Sequence, residues 1–349
     1  MRDATIDIAK GIGILTVVLC HNWILYENRG ELSRIVFSFH MPLFFFISGL
    51  FFKPNQTFYQ LLISKADALL KPFFIVLIGI FIFDYFFFQP IDVTKKIIEL
   101  IYASGTTVSL IPLWFLSHLY FVFIFAWAIN KWILSKINNT AGKSIFLLIL
   151  LLIGAQTASL FWYKDWQVFG LTKLVFGEGA KFKGLPFNLD IILLTTTFFL
   201  SGYLFAKNFL DFKFKPIYAS FALILFSALH YFYNETIELN SRQYGNFVVC
   251  TLQIISGIYL VFSAASLIKN FKRFSDVFCY IGAASLMILI VHFQPQHKLT
   301  GIFHYHLPEY KFAAASLSLI ASVVLSLIAW RITLNSTWLS QLILPLKNR

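Results

Sequence analysis

Ten stretches of predominantly apolar residues, each near the length a helix needs to cross a bilayer, leave this chain few folds to choose from. A span takes about 17–25 such residues, and the sequence supplies them near 8–27, 35–52, 69–89, 112–133, 144–162, 187–206, 216–233, 246–268, 277–294 and 312–330. Inside lipid every backbone N–H and C=O must be paired within its own segment, so runs of this length fold as helices. The expected fold is an all-α polytopic membrane protein of about ten transmembrane helices, a single domain over residues 1–349. Composition agrees, with 58% hydrophobic and 13% charged residues where a soluble domain has about a quarter charged.

An even number of spans puts both termini on one side, and the basic residues say which. With the N-terminus inside, the inner loops and helix ends collect 17 of the 28 Lys and Arg against five acids, which accounts for the whole formal charge of +12. That is the positive-inside bias of a membrane protein, with attraction to anionic lipid added. Both termini are therefore expected in the cytoplasm, and nucleic acid is excluded as a partner. No cleavable signal is expected before the first apolar run, since residues 1–10 are short and polar. Cys20, Cys250 and Cys279 lie in separate apolar segments without metal-type spacing and read as structural thiols, with no metal implied. The 42 phenylalanines and many Ile and Lys suit an AT-rich, bacterial coding genome. The longest loops, near 90–111, 163–186 and 295–311, fall on the outer side, placed either to cover a polar substrate or to serve as plain connectors.

Polar residues inside the spans are costly and usually mark a site. Lys10 and His21 are eleven residues apart, about three turns plus 20°, so both leave one face of the first helix with a rise of roughly 16 Å between them. Asp7 lies one turn before Lys10. His21 and His40 each stand about six residues from the outer ends of an uninterrupted helix one and helix two, so the two imidazoles sit at matched depth, about 9 Å below the outer interface. Asn22 beside His21, the Ser48-Gly49 turn, and Pro42, which cannot donate to the Ser38 carbonyl, make a polar cavity there. His118, His230 and His292 read singly as interhelical ties, each worth under about 2 kcal/mol. Gly11 and Gly13 permit close approach of a helix or a ligand. Met41 and Phe44 to Phe46 read as packing, and Trp114 as an interfacial belt residue by position, or else as a sugar-stacking platform.

Two motifs carry a resemblance. Ile6-Asp7-Ile-Ala-Lys10-Gly-Ile-Gly-Ile-Leu-Thr-Val-Val-Leu-Cys-His21, followed by Phe39-His40-Met-Pro-Leu-Phe-Phe-Phe-Ile-Ser48-Gly49, resembles the acyltransferase-3 family of integral membrane acyltransferases, especially its fucose 4-O-acetylase-like branch. Further echoes are Leu113-Trp114-Phe115-Leu116, Leu185 to Asp190 leading to Phe199 through Phe205, Asn240-Ser-Arg242-Gln-Tyr-Gly245-Asn246, and Tyr280 through His292. The broad family has an arginine, ten residues and a histidine in helix one; Lys10 holds the arginine place here, a change the branch tolerates, and His21 matches the histidine. Because Arg and Lys are not interchangeable, the substitution bears on the role of Lys10 more than on that of His21.

The resemblance implies acyl transfer, usually acetyl from cytoplasmic acetyl-CoA, to a hydroxyl of a glycan or related envelope molecule, in the bacterial cytoplasmic membrane. No SGNH-type esterase domain accompanies these motifs, so direct acylation of the acceptor is expected. His21 is the expected general base, with His40 orienting the acceptor, polarising the carbonyl or relaying the proton; an acyl-histidine intermediate is less economical. Lys10 is placed to hold an anionic CoA phosphate, with Asp7 positioning it or capping the helix. Asn22, Ser48, Trp114 and Arg242 complete the expected donor- and acceptor-binding set. Competing readings are a transporter or flippase, which would show paired broken helices in two related halves, and an envelope scaffold, which would not need the paired histidines. No internal repeat is visible.

Overall fold

The computed structural model describes residues 4–24, 30–87, 92–162 and 184–346. Among these residues seven helices are long and apolar enough to cross a membrane, or eight if one bent pair is counted as a single span. Among the described residues the fold is all-α but for one short hairpin. Eight of the ten expected runs coincide with these spans. The other two also form helices, α1 (Ala4–Cys20) and the helix Pro216–Phe232, of 17 residues each, the short end of the expected range, so about ten spans were expected and seven or eight longer ones are counted among the described residues. Of the expected outer loop 163–186, residues 163–183 lie outside the described residues.

The chain folds into two compact units. The first comprises Met1–Phe52, Phe198–Leu239 and Tyr244–Arg331. Here α1 is followed by α2 (Glu31–Phe37) and α3 (His40–Leu50). The second helix was expected to be continuous over 35–52, yet it breaks at Ser38 and Phe39, where Phe39 leaves helical geometry at φ −138° and ψ −20°. Pro42 sits in the first turn of α3, where its missing N–H costs nothing.

The second unit comprises Lys53–Thr197, Asn240–Gln243 and Ile332–Arg349. It begins with α4 (Phe58–Lys65), whose start is a capping box in which Thr57 accepts from the Gln60 amide and the Gln60 side chain accepts from the Thr57 amide. A π-helical turn over Ala66–Leu70 leads into α5 (Lys71–Phe87). Then come α6 (Val93–Tyr102), α7 (Trp114–Trp132) and α8 (Thr140–Trp162). The unit boundary falls within α9 (Ile192–Leu204). A Cβ on Gly154 of α8 would meet the Leu194 backbone at 2.5 Å, so glycine is what lets these helices touch.

The remaining helices are α10 (Ala206–Leu210), α11 (Pro216–Phe232), α12 (Phe247–Ile268), α13 (Lys272–Ala283), α14 (Ser285–Val291), α15 (Phe293–His306), α16 (Lys311–Asn335) and α17 (Thr337–Ile343). The hairpin pairs Ile237–Glu238 with Gln243–Tyr244. α13 and α14 form the bent pair, 60° apart. The stretch 295–311, expected as a loop, is mostly helix: Pro295 falls in the first turn of α15, where proline is tolerated. α6 likewise puts a helix into the expected loop 90–111.

Within the first unit α1 is the central strut, packed against α13, α12, α3 and α14. The crossing with α13 is reciprocal. A Cβ on Gly11 would fall onto the Phe278 carbonyl and one on Gly282 onto the Asp7 carbonyl, so two glycines bring the backbones together as small residues do between membrane helices. Gly49 of α3 and Gly202 of α9 repeat the device, facing the carbonyls of Phe199 and Phe46. In the second unit Lys71 Nζ donates to Asp67 Oδ1 at 2.6 Å and to the Leu344 carbonyl at 2.7 Å, while Asp67 Oδ2 accepts from the Leu346 amide at 2.7 Å. These three bonds dock the stretch after α17 on the π-helical turn.

Candidate active site

The first candidate site forms where α1 ends. The helix stops at Cys20, and the His21 and Asn22 amides close tight turns onto the Val18 and Leu19 carbonyls, each at 3.2 Å. Two buried amides fix the break. Asn22 Nδ2 donates to the Ala315 carbonyl and to Ser318 Oγ, both at 3.1 Å, and Gln296 Nε2 donates to the Val18 carbonyl at 2.9 Å. Thr300 Oγ1 donates to Ser318 Oγ at 2.8 Å. His292, Gln296 and Thr300 are fully buried and follow one another at intervals of four, so they line one face of the polypeptide running from the end of α14 into α15.

His21 therefore stands on the turn just past the helix, not six residues inside it. The depth match drawn from an uninterrupted helix to residue 27 is corrected accordingly, because the Asn22 and Gln296 amides capture the chain there. The His21 ring is half-buried, with its centroid 5.4 Å from that of His292 and 5.3 Å from that of Phe293. His40, the first residue of α3, lies within electrostatic reach of His21. The structure thus brings His21, His40, Asn22 and His292 together.

Three of the histidines share one geometry. Nδ1 of His40, His230 and His292 faces the carbonyl four residues earlier, that of Val36 at 2.9 Å, Phe226 at 2.8 Å and Ile288 at 2.5 Å. A carbonyl only accepts, so in the neutral ring the proton sits on Nδ1 and Nε2 carries the lone pair. Nε2 of His292 is buried without a partner among the described residues, as are Asn22 Oδ1 and Gln296 Oε1. The amide nitrogens of Asn22 and Gln296 are turned to carbonyls, so these oxygens are acceptors too. The end of α1 thus gathers three buried acceptors that no donor among the described residues satisfies. Each costs about 1–3 kcal/mol if left so, and a ligand bringing hydroxyl protons would satisfy them.

Lys10 and Asp7 are half-buried on α1 one turn apart, and Lys10 Nζ stands 5.4 Å from the centroid of the Phe51 ring. Ser48 Oγ donates to the Phe44 carbonyl at 2.8 Å, so this hydroxyl is engaged within its own helix. Gly11 packs against α13, and a Cβ on Gly13 would meet the Leu43 and Phe44 side chains at 3.1–3.2 Å. Both glycines serve helix packing.

The second unit holds the other two expected residues, Trp114 and Arg242. Arg242 is 1% exposed with φ +63°. Its Nε donates to Asp190 Oδ2 at 2.7 Å, its Nη2 to Asp190 Oδ1 at 3.2 Å and Asn188 Oδ1 at 3.0 Å, and its Nη1 to the Asn240 carbonyl. All three nitrogens thus bond within the fold. Tyr102 Oη donates to the Gly184 carbonyl at 2.5 Å. Burial, with Asp190 adding to it, pushes that phenol up to about 12, so it remains a donor at any cellular pH. All five described residues with positive φ, Ala103, Gly184, Phe187, Asn188 and Arg242, lie in or beside this cluster. His118 is a tie, as expected: Nδ1 faces the Phe187 carbonyl at 2.9 Å and Nε2 the Thr195 hydroxyl at 2.8 Å. Trp114 is only 4% exposed and lies against His118 at 5.7 Å between centroids. It is no lipid-facing belt residue, because the buried turn at Ile111–Leu113 tucks the start of α7 into the protein.

The three cysteines are free thiols. Among the described residues no three His, Cys, Asp or Glu side chains gather as metal ligands would.

A family model described as an acyltransferase domain, Acyl_transf_3, matches residues 3–331. The chain belongs to the acyltransferase-3 family. No significant match is found among curated proteins or among solved structures. This acyltransferase is an enzyme that moves an acyl group, and its machinery must supply a base for the acceptor and a seat for the donor. Gln296 is the residue that sequence reasoning passed over, and His292 the one it read as a mere tie. The signal was available in their spacing, His292, Gln296 and Thr300 recurring at intervals of four.

Proposed function

We propose that this acyltransferase moves an acetyl group from cytoplasmic acetyl-CoA to a hydroxyl of a cell-envelope or exported glycan. The whole chain acts as one acyltransferase domain in the bacterial cytoplasmic membrane, within the fucose 4-O-acetylase-like branch of its family. The observation that carries this reading is the imidazole pair at the end of α1, with His21 and His292 5.4 Å apart and buried acceptors around them. The branch and the acetyl donor are supported by the motif through Lys10 and His21 and by Lys10 in the arginine place.

A hydroxyl is a poor nucleophile at neutral pH, and an imidazole is suited to take its proton. His21 accepts the acceptor's proton as the oxygen attacks the thioester carbon; the C–S bond breaks, and the proton passes to the departing thiolate. His40 and His292 offer Nε2 lone pairs to neighbouring hydroxyls of the acceptor, which turns the attacking hydroxyl toward His21. Lys10, about 16 Å down the helix by its rise, holds a phosphate of acetyl-CoA so that the pantetheine arm runs along α1, and Asp7 positions Lys10.

The test is acetyl transfer by protein in lipid nanodiscs, with acetyl-CoA as donor and an envelope glycan extract as acceptor. His21→Ala should lower kcat by about 100-fold or more; a wild-type rate would end the base role. Lys10→Ala should raise KM for acetyl-CoA more than KM for the acceptor, and the opposite pattern removes the phosphate-binding role.

A further inference from the structure

An apolar cleft lies in the second unit, beside α4 and α7. The Phe58 ring stands 4.9 Å from that of Trp127, and Trp127 stands 6.2 Å from Trp132. The Trp127 indole is pinned by a hydrogen bond from Nε1 to the Gln56 carbonyl at 3.2 Å. Between them opens a cleft of about 550 Å³ lined by Phe58, Ile124, Phe125, Trp127, Ala128 and Trp132. Its walls are apolar throughout, and Phe58 and Trp132 remain 41% and 60% exposed.

The charges on the two segments that line this cleft are all positive, and Asp67, just past the first of them, is held by Lys71 Nζ at 2.6 Å. Lys131 Nζ sits 4.5 Å above the Trp127 ring, and Lys136 follows in the next turn of chain. Lys65 lies 4.1 Å over the Phe123 ring and within electrostatic reach of Lys53. From Lys53 to Ala66 and from Leu113 to Trp162 the sequence contains no Asp or Glu, so neither lining segment supplies a carboxylate for these cations. The cleft also lies at the end of a candidate membrane span, Ile111–Lys136, the level at which phosphates of a bilayer meet its acyl chains.

We propose that this cleft is a binding site for an anionic phospholipid, with one acyl chain against Trp127 and Trp132 and the phosphate on Lys131. An apolar slot excludes a soluble polar ligand, and a lysine over its Trp127 wall, with no carboxylate paired to it among the described residues, selects for a negative headgroup over a zwitterionic one. Lysine is suited to the task because its stem lies along the aromatic wall while its ammonium reaches the headgroup layer. The site is independent of the acetyl-transfer reading.

Fluorescence quenching tests it. Full-length protein is placed in phosphatidylcholine vesicles containing a small fraction of phosphatidylglycerol brominated on its acyl chains, or an equal fraction of brominated phosphatidylcholine. At equal fraction the brominated phosphatidylglycerol should quench tryptophan at least about twofold more, given one lysine at the headgroup. The excess should vanish in Lys131→Gln and in the double variant Trp127→Phe, Trp132→Phe. Equal quenching by both lipids in the wild type, or an excess that survives either variant, overturns the proposal. Lys131 and Trp132 are exposed, so Lys131→Gln and Trp132→Phe leave the core intact, and native mass spectrometry provides a second reading. Lys131→Gln should retain fewer phosphatidylglycerol molecules than the wild type, and an unchanged count is the overturning result.

Discussion

A histidine whose Nδ1 faces a main-chain carbonyl has no choice of tautomer when neutral, and His40 and His292 both use this to present Nε2 as an acceptor. For His292 that lone pair is buried, a cost that helix packing alone does not explain, since phenylalanine would fill the space. His292→Phe keeps a ring against His21 and removes the lone pair. We expect the variant to fold, to keep its KM for acetyl-CoA and to lose about tenfold or more in kcat, read by steady-state acetyl transfer beside thermal unfolding in detergent. An unchanged kcat would make His292 a tie between helices and nothing more. His21 was legible in the sequence because a lone imidazole among apolar neighbours stands out. His292 stood out as well, yet its partner is 271 residues away and no spacing rule links the two. Gln296 was hidden for another reason: a search for long apolar runs passes over the polar helix that carries it.

Helices meet here through glycines whose roles differ, and substitution separates them. A Cβ on Gly282 would fall onto the Asp7 carbonyl and one on Gly11 onto that of Phe278, backbone atoms that cannot swing aside, whereas nothing lies within 4 Å of a Cβ on Gly79 of α5. Gly282→Ala and Gly11→Ala should each cost about 1–3 kcal/mol as overpacking does. Gly79→Ala should be neutral or stabilise by up to about 1 kcal/mol through helix propensity. Thermal shift of the three variants in one detergent checks this, and equal shifts would contradict the crossing geometry. Most spans were legible because hydropathy fixes their length. The breaks were not: the stop at Cys20 depends on what Asn22 and Gln296 find in α16 and α1, and the interruption at Ser38 and Phe39 goes with the seating of the Phe39 ring against Gly257 of α12. The Arg242–Asp190 pair joins residues 52 apart in sequence, and neither residue alone foretells it. Removing one member of such a buried pair leaves the other charge without compensation, which is reason to regard the pair as fold-defining.

Across the whole molecule the family match runs from residue 3 to 331, through both compact units. The direction of acyl transfer follows from orientation. On the function proposed above, a donor made in the cytoplasm enters from the side where Lys10 lies, and the loop charges are the reason to expect the N-terminus, and with it Lys10, inside. Lys213 and Glu309 are both exposed and fall in loops expected on opposite sides. In a background with Cys20, Cys250 and Cys279 replaced, Glu309→Cys should react with an impermeant maleimide in intact cells, and Lys213→Cys only after the membrane is opened. The reverse pattern would invert the protein, place Lys10 on the far side from acetyl-CoA and remove the path along α1. If the expected pattern holds, a donor entering beside Lys10 reaches His21 after a climb of about 16 Å. The acyl group then arrives in the outer half of the membrane, where an exported acceptor is within reach.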